Sequence, residues 1–366
     1  MVDFQEYAYW IAFAHLPRWR TENINKLIIN ILHDRDISFQ DFFGMDKDGW
    51  LSEFNFNSKE INDLDTAKLE LPNYSFLAEE LLDQGFYIIP FNSDKYSKVL
   101  KKNLKTKSSP PLLYAKGNID LLNEPSIAIV GSRRASSKSL SFTTNVANNA
   151  VREHGVVVSG YAKGVDRMAL EATLEANGRS IIVLPQGIQT YNTGYKNYYS
   201  QLVDGDLLIV SAYHPKAPWS VGLAMGRNKY IYGLASKIYV AESDDKGGTW
   251  SGAIDGIKRG RDINVRLPDV NEINANNTLI LNGASAVDEK GKRIEQEFLD
   301  DLENILKDNL DIPRTAEELI QRYNHSFDVD YLRRLIPILS SIETIKDNSQ
   351  EKYRIKPKHN IQTNIF

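Results

Sequence analysis

The chain has 366 residues, of which 42% are hydrophobic and 25% charged, as in a globular protein of about two or three domains. Its formal net charge of −4 argues against a uniformly basic nucleic-acid coat but allows a local basic groove. The absence of cysteine excludes disulfides, thiolate catalysis and cysteine-based zinc sites. The N-terminus lacks a signal-peptide pattern and no apolar run is long enough to cross a membrane, so we expect a cytoplasmic protein.

The first part of the chain, residues 1–73, has the apolar periodicity of helices. Tyr7, Ile11 and Ala14 recur at helical spacing, and Pro17 separates this run from the next one. We therefore predict a small all-helical N-terminal domain over residues 1–73.

Residues 74–300 alternate short apolar runs with amphipathic stretches. Short strands are predicted at Phe86–Pro90 and within Ser109–Gly117. The later predicted strands are Ile127–Val130, Val156–Ser159, Ile181–Leu184, Leu207–Val210, Ile238–Ala241 and Ile263–Leu267. Apolar strands that alternate with helices imply a parallel sheet covered on both faces. We predict an α/β domain, Rossmann-like and doubly wound with a mostly parallel sheet, over residues 74–300.

Residues 301–366 have a third pattern. Thr315 is placed to cap a helix, Asp328 or Asp330 to start a second helix, and Tyr353–Ile355 to form a short strand. This order predicts a winged-helix-like C-terminal domain over residues 301–366.

A candidate anion site follows the strand Ile127–Val130. Gly131 ends the strand, and Ser132, Arg133 and Arg134 precede the next predicted helix. Backbone N–H groups converge at such a junction, and the helix dipole adds positive potential. Gly131 would allow a phosphate to approach, Ser132 could donate a hydrogen bond and Arg133 could bind the phosphate bidentately. Gly131 could be required for helix–strand packing alone, but Ser132 and Arg133, which follow it in the chain, favour an anion site.

A second glycine-rich loop follows the next predicted strand. Gly160 and Gly164 bracket Lys163, and Asp166 is predicted to cap the helix that comes after them. Open α/β sheets bind ligands at the carboxyl ends of their strands, where this loop would lie.

The segment Tyr191–Tyr199 interleaves tyrosines with Lys196. Tyrosine rings can stack on unpaired bases while an ammonium group meets phosphate. A tyrosine-rich surface loop without a ligand fits the pattern equally well.

A short basic motif, Arg227–Lys229, falls at the start of a predicted helix. Positive charge at a helix N-terminus opposes the helix dipole, which costs stability unless an anion is bound. The motif therefore slightly favours a ligand-binding role.

Taken in order, these motifs resemble the DprA/Smf family. The resemblance runs from about Gln84 to Pro268 and rests mainly on Pro110–Asn118, Ala128–Ser136 and Val158–Asp166. It implies a non-catalytic, homodimeric protein that binds single-stranded DNA in DNA processing and recombination, with a recombinase as protein partner. No metal and no cofactor is implied, and the six histidines show no metal-ligand spacing.

The resemblance also assigns contacts along the carboxyl edge of the sheet. The family's phosphate-binding arginine falls on Arg133, its loop contacts fall near Lys196 with Tyr198 or Tyr199, and its Arg-Asn-basic motif falls on Arg227–Lys229. The predicted DNA contacts are Gly131, Ser132, Arg133, Arg134, Gly160, Lys163, Gly164, Lys196, Tyr198, Tyr199, Arg227, Asn228 and Lys229.

Three positions depart from the family pattern. Leu170 stands where the family has a histidine, Ser211–Pro215 replaces a Ser-Glu-x-Pro stretch, and Lys246–Ser251 replaces a Ser-Gly-Ser segment. Because these changes lie on the predicted ligand edge, the biological process that DNA binding serves is left open. Divergent DprA-like proteins also occur as antitoxin partners of phosphoribosyltransferase-type toxins in phage defence, which is the alternative hypothesis.

An enzyme is the third hypothesis. Nucleotide-cleaving proteins of the LOG type have a related fold and a Gly-Gly-x-Gly-Thr-x-x-Glu loop. In this chain Gly247–Ile254 places isoleucine at the glutamate position, and Asp255 is one residue off. Because the loop lacks its general acid/base, we expect no catalytic activity.

Overall fold

The structure is a computed structural model, and the stretches that it describes are residues 4–323, 328–347 and 349–357. The chain forms two compact units, whose segments are Met1–Ile129 with Ala147–Lys237 and Val130–Val146 with Ile238–Phe366. The predicted helical region and the first strands of the predicted α/β domain thus share one unit. The division at residues 73 and 300 stays a prediction.

The N-terminal part of the first unit is helical, as predicted. Its elements are α1 (Phe4–Ala14), α2 (Thr21–Ile29), a π-helical turn (Asn30–Asp34), α3 (Phe39–Gly44), α4 (Lys47–Phe54), α5 (Ser58–Leu69) and α6 (Leu71–Asp83). An aromatic core holds them together: the Phe39 ring centroid lies 5.1 Å from that of Trp10 and 4.8 Å from that of Phe13. Burial of such rings is a large share of the stability of a small helical cluster.

A mixed sheet forms the centre of the first unit. Its strands are β1 (Tyr87–Pro90), β2 (Leu112–Gly117), β3 (Ser126–Val130), β4 (Val156–Ser159), β5 (Arg179–Val183) and β6 (Leu207–Ser211). They follow the order β1-β2-β6-β5-β4-β3, in which β3 to β6 pair in parallel and β1 and β2 pair antiparallel. The central strands are continuous buried apolar runs, as expected for strands covered on both faces.

The helices of this unit after the helical N-terminal part are α7 (Lys98–Ser108), α9 (Val165–Glu175), α10 (Asn192–Asn197), α11 (Tyr199–Asp204) and α12 (Val221–Leu234), whereas α8 (Ser137–Arg152) begins in the second unit and ends in the first. Both α9 and α12 pack against β4 and β5. Their packing brings the start of α9 and the second turn of α12 to the carboxyl end of β4. The predicted Rossmann-like class, with a mostly parallel sheet and flanking helices, is confirmed.

The second unit contains β7 (Lys237–Val240), α13 (Gly248–Lys258), β8 (Asp262–Arg266), α14 (Asn276–Leu281) and β9 (Ser285–Val287). Strands β8 and β9 pair in parallel, with Val265 opposite Ala286. None of the helices in the described stretches is long and apolar enough to span a membrane.

The C-terminal elements are α15 (Gln296–Asp308), α16 (Ala316–Tyr323), α17 (Val329–Leu335), β10 (Ile342–Asp347) and β11 (Gln350–Ile355). The Glu318 N–H donates to Thr315 Oγ1 and the Asp330 N–H donates to Asp328 Oδ1, so both predicted helix starts are confirmed. Strands β10 and β11 form an antiparallel hairpin. The winged-helix-like assignment stays a prediction, and its residues 324–327, 348 and 358–366 lie outside the described stretches.

Candidate nucleic-acid interface

The Gly131–Arg134 loop, in the second unit, is held by hydrogen bonds to the segment after β7. The Ser132 N–H donates to the Glu242 carbonyl oxygen over 2.9 Å. The Arg134 N–H donates to Ser132 Oγ over 3.1 Å, and the Ser136 N–H donates to Glu242 Oε2 over 3.0 Å. These three amides are therefore engaged within the protein. The Ser132 hydroxyl hydrogen and the side chains of Arg133 and Arg134 remain for a ligand.

A buried polar network fixes Glu242 in this position. Ser139 Oγ donates to Glu242 Oε2 over 2.8 Å, and Arg266 Nη2 donates to Ser139 Oγ over 2.9 Å. Arg266 is only 3% exposed and also pairs with Glu272. Because buried polar groups need partners, this chain of contacts restricts the loop to one conformation.

Arg133 and Arg134 are exposed at the surface of the second unit. Neither forms an ion pair with a carboxylate in the described part of the chain. Most other arginines of this unit do have such a partner, for example Arg293 with Asp262. Two uncompensated guanidinium groups on a fixed loop suit an anionic ligand.

In the first unit, the loop after β4 has a strained backbone. Tyr161 has a φ of 61° and Gly164 a φ of 79°, and only the second is a residue that adopts such angles freely. Lys163 between them is exposed and has no carboxylate partner among the described residues. The loop thus presents a cation at the carboxyl edge of the sheet, as predicted from the glycine spacing.

The predicted capping role of Asp166 is wrong. The cap position of α9 is Gly164, without a side-chain hydrogen bond, and Asp166 is a buried residue inside the helix. Its carboxylate lies 3.9 Å from Arg227 Nη1. A tertiary partner on α12 therefore determines the place of this carboxylate, rather than the end of its own helix.

The predicted position of Arg227 at a helix start is also wrong. Helix α12 begins at Val221 and is capped by Ser220, so Arg227 lies in its second turn and does not oppose the helix dipole. Its side chain is 3% exposed and lies against Gly160, where an added Cβ would come within 1.4 Å of Nη1. In this conformation Arg227 supports the loop after β4, and its direct contact with DNA stays a prediction. Asn228 is half-buried.

Lys229, the last residue of the basic motif, is exposed. Its ammonium lies 4.9 Å from the centroid of the Tyr230 ring. Unlike Arg227, it can meet a ligand without a rearrangement.

A cluster of tyrosines lies beside the loop after β4. The Tyr161 ring centroid is 5.4 Å from that of Tyr191 and 5.8 Å from that of Tyr198. The Arg167 guanidinium lies 4.0 Å from the Tyr161 centroid. Burial raises the pKa of Tyr191 and of Tyr198 above the ordinary value for tyrosine, so both rings are neutral at physiological pH. The cluster can therefore contact bases but cannot supply a phenolate.

Tyr161 and Arg167 were not among the residues predicted from the sequence. The signal for Tyr161 was its place between Gly160 and Gly164, since an aromatic residue in a glycine-bracketed loop is held close to the ligand edge. The signal for Arg167 was weaker, because its role depends on the ring of Tyr161.

The segment Tyr191–Tyr199 is helical rather than a loop, because α10 and α11 cover most of it. Within it, Tyr198 joins the tyrosine cluster, whereas Tyr199 is 69% exposed. Lys196 is exposed and has no carboxylate partner among the described residues. Only Tyr198 of the predicted aromatic contacts is thus held in place by neighbouring side chains.

The departures from the family pattern have clear structural places. Leu170 is fully buried on α9, so the side chain at the family's histidine position is part of the core. Asp255, the nearest residue to the missing glutamate, is exposed on α13 and pairs with Arg259 at 2.7 Å. No group of acidic and histidine side chains in the described stretches could hold a metal ion, and His325 and His359 lie outside those stretches.

Comparisons with known proteins identify the family of this chain. The family model of DNA recombination-mediator protein A matches residues 87–298. The DNA processing protein DprA of Streptococcus pneumoniae is 32% identical over 155 residues, which cover 42% of this chain and 55% of that protein. Protein Smf of Synechocystis is 26% identical over 298 residues, which cover 77% of this chain and 70% of that protein.

The X-ray structure of DprA from Streptococcus pneumoniae has a similar fold. It aligns with a TM-score of 0.56 and 24% identity, and covers 78% of this chain and 95% of that one. The family model spans more than half of the 366 residues, from β1 through the loop after β4 to the start of α15. The chain therefore belongs to the DNA recombination-mediator protein A family, as the resemblance to DprA/Smf proteins predicted.

Proposed function

We propose that this protein binds single-stranded DNA in DNA processing and recombination, through loops at the carboxyl ends of its parallel strands. The observation that carries the proposal is that the segments after β3, β4 and β5 carry exposed cations without carboxylate partners in the described part of the chain. These cations include Arg133 and Arg134 in the second unit and, in the first unit, Lys163 in the loop after β4 and Lys196 on α10. Phosphate groups are the ligands that such cations bind best in a nucleic acid.

The tyrosine cluster adds a reason to prefer an unpaired strand. Aromatic rings bind splayed bases through stacking, which is sequence-tolerant and is not available in an intact duplex. Tyr161 and Tyr198 are half-buried, so each ring has a fixed orientation and still an open part. A ring held in place by neighbours loses little conformational entropy when a base stacks on it.

We also propose that the protein acts without catalysis. Ile254 stands where the nucleotide-cleaving proteins have their glutamate, and the neighbouring Asp255 faces solvent and pairs with Arg259. On the family resemblance we also propose a homodimer and a recombinase as protein partner. Light scattering of the pure protein tests the first, and copurification tests the second. The antitoxin alternative stays a prediction, for which copurification of a toxin is the test.

The test of DNA binding is fluorescence anisotropy of a labelled oligonucleotide, offered once as a single strand and once as a duplex. We expect tighter binding of the single strand. Arg133→Ala and Lys163→Ala should each weaken binding by about 1–3 kcal/mol, because each removes one charge-assisted contact.

Lys59→Ala is the matched control, since Lys59 is an exposed lysine on α5 in the helical part of the chain. It should bind DNA as the unmodified protein does. Equal binding of single strand and duplex would contradict the preference for unpaired bases. Unchanged affinity in both loop variants would contradict the proposed site.

A further inference from the structure

An exposed stripe on α12 contains two apolar residues, Val221 and Met225, that the contacts described so far do not use. Val221, Met225 and Lys229 follow one another at intervals of four residues, so they share one face of the helix. Val221 is 67% exposed and Met225 is 46% exposed, and Lys229 is exposed at the end of the stripe. Trp219, 51% exposed, precedes the helix cap Ser220. Val221 and Met225 are thus exposed neighbours on one face of α12, and Trp219 is a third exposed apolar side chain, just before the helix. Exposed apolar side chains that lie close together indicate a binding face.

The charge of this segment identifies the kind of ligand. Residues 207–241 contain no Asp or Glu, although the chain has 48 acidic residues in total. Of its four cations, Lys216 pairs with Glu80 and Arg227 is buried beside Asp166. Lys229 is exposed on the same face of α12 as Met225 and has no carboxylate partner among the described residues. An exposed apolar side chain beside such a cation suits a ligand that is both polyanionic and aromatic, which is the chemistry of an unpaired nucleic-acid strand.

We infer that Trp219 and Met225 form a base-stacking surface for single-stranded DNA, with Lys229 binding a backbone phosphate beside it. The indole ring offers a face for one base, and the polarizable thioether of Met225 packs against a second. The spacing along α12 places the cation at one end of this surface, so the bases contact the apolar part while the backbone follows the charge. This inference rests on the proposed function and extends the DNA path to the outer face of α12.

Tryptophan fluorescence gives a direct readout of stacking. All five tryptophans lie in the described part of the chain: Trp219 is 51% exposed, Trp19 and Trp250 are partly exposed, and Trp10 and Trp50 are 1% exposed. Acrylamide quenches exposed indole rings preferentially, so the quenching that is lost in Trp219→Phe reports on Trp219. Addition of oligo-thymidylate should lower the accessible fraction more in the unmodified protein than in Trp219→Phe.

Affinity measurements complete the test. Trp219→Ala should weaken oligo-thymidylate binding about 5- to 100-fold, the range for loss of one stacked base. Trp219→Phe should keep most of the affinity because it keeps an aromatic face. The matched control is Phe76→Ala, since Phe76 is 70% exposed on α6 but is followed on the same face by Glu79 and Glu80. It should bind DNA normally.

Each outcome separates this inference from the proposed function. Failure of the unmodified protein to bind oligo-thymidylate would overturn the proposed function and this inference together. Normal binding by Trp219→Ala would overturn the stacking surface alone. A Trp219→Ala variant that loses self-association while it binds DNA normally would also overturn it, in favour of a contact between two copies of the chain.

Discussion

The guanidinium of Arg227 occupies the volume that a side chain at position 160 would fill, and Gly160 leaves this volume free. A Cβ added to Gly160 would lie 1.4 Å from Arg227 Nη1 and 2.6 Å from Asp166 Oδ2. Since Arg227 is 3% exposed, its charge is stable there only with a polar environment such as the nearby Asp166 carboxylate. The conformation of the loop after β4 and the buried position of Arg227 therefore depend on each other.

Gly160→Ala should disturb the packing of Arg227 against the loop after β4. The added methyl group cannot share the volume with the guanidinium, so Arg227 must leave its buried position or the loop must shift. We expect the free energy of unfolding to fall by about 1–3 kcal/mol, the usual cost of overpacking a well-packed site. Chemical denaturation followed by circular dichroism measures this change.

Gly44→Ala is the control for the glycine substitution. No atom lies within 4 Å of a Cβ added to Gly44, the last residue of α3. Its stability should stay within about 0.5 kcal/mol of that of the unmodified protein. A Gly160→Ala variant as stable as the Gly44→Ala variant would show that Arg227 does not depend on this space.

At the scale of residues, the sequence indicated which loops carry exposed cations better than it indicated which side chains contact each other. The exposed cations Arg133 and Lys163 were recognisable because glycines mark the loops that carry them. Asp166 was assigned to a cap because a carboxylate near a helix start usually has that role. Its partner, Arg227, is remote in the chain, and local propensity contains no information about such a tertiary contact.

Among the structural elements, the Gly131–Arg134 loop depends most on a residue outside it. Glu242 accepts hydrogen bonds from the Ser136 N–H and from Ser139 Oγ, and Ser139 is fully buried. The Glu242 carbonyl oxygen also accepts the Ser132 N–H. The conformation that presents Arg133 to solvent therefore rests on the segment that follows β7.

Two variants of Glu242 separate its hydrogen bonds from its charge. Glu242→Ala should lower the free energy of unfolding by about 1–3 kcal/mol, because it leaves buried donors without an acceptor. It should also weaken DNA binding. Glu242→Gln keeps a carbonyl oxygen as acceptor and removes a negative charge beside the loop, so it should bind DNA at least as tightly as the unmodified protein. Thermal unfolding and anisotropy measure the two effects.

The control for the charge is Glu79→Gln, which removes an exposed carboxylate from α6. It should change neither stability nor DNA affinity. Weaker DNA binding by Glu242→Gln, with normal stability, would mean that the Glu242 carboxylate itself contributes to the interface.

The elements were predictable where one physical signal dominated. Strand β4 was predicted to the residue, since an apolar run between polar loops is typical of a strand buried on both faces. The start of α12 was missed because Gly222 and Gly226 lower the helix propensity of its first turns. The cap Ser220 was visible in the sequence, but Trp219 and Val221 around it did not show a buried face.

For the whole molecule, the net charge of −4 and the pI of about 6.0 give no indication of a polyanion-binding surface. The reason is that net charge does not show where the charges lie: Arg179 pairs with Glu124, whereas Arg133 and Lys163 have no carboxylate partner in the described part of the chain. A DNA strand at the carboxyl ends of the strands would meet these exposed cations rather than the average charge of the molecule. Net charge is thus a poor guide to the local surface potential.

The salt dependence of DNA binding tests this view. Each phosphate that a cation neutralises on a single strand contributes about −0.7 to the slope of log K against log salt concentration. If Arg133, Arg134, Lys163, Lys196 and Lys229 all contact phosphates, the slope should be roughly −3 to −4. Lys196→Ala should reduce its magnitude by about 0.7, because it removes one released counterion, whereas Lys59→Ala should leave it unchanged. The slope comes from anisotropy titrations at several chloride concentrations. A slope near zero with measurable affinity would mean that bases rather than phosphates provide the binding energy, and the loop cations would then have no role in holding the strand.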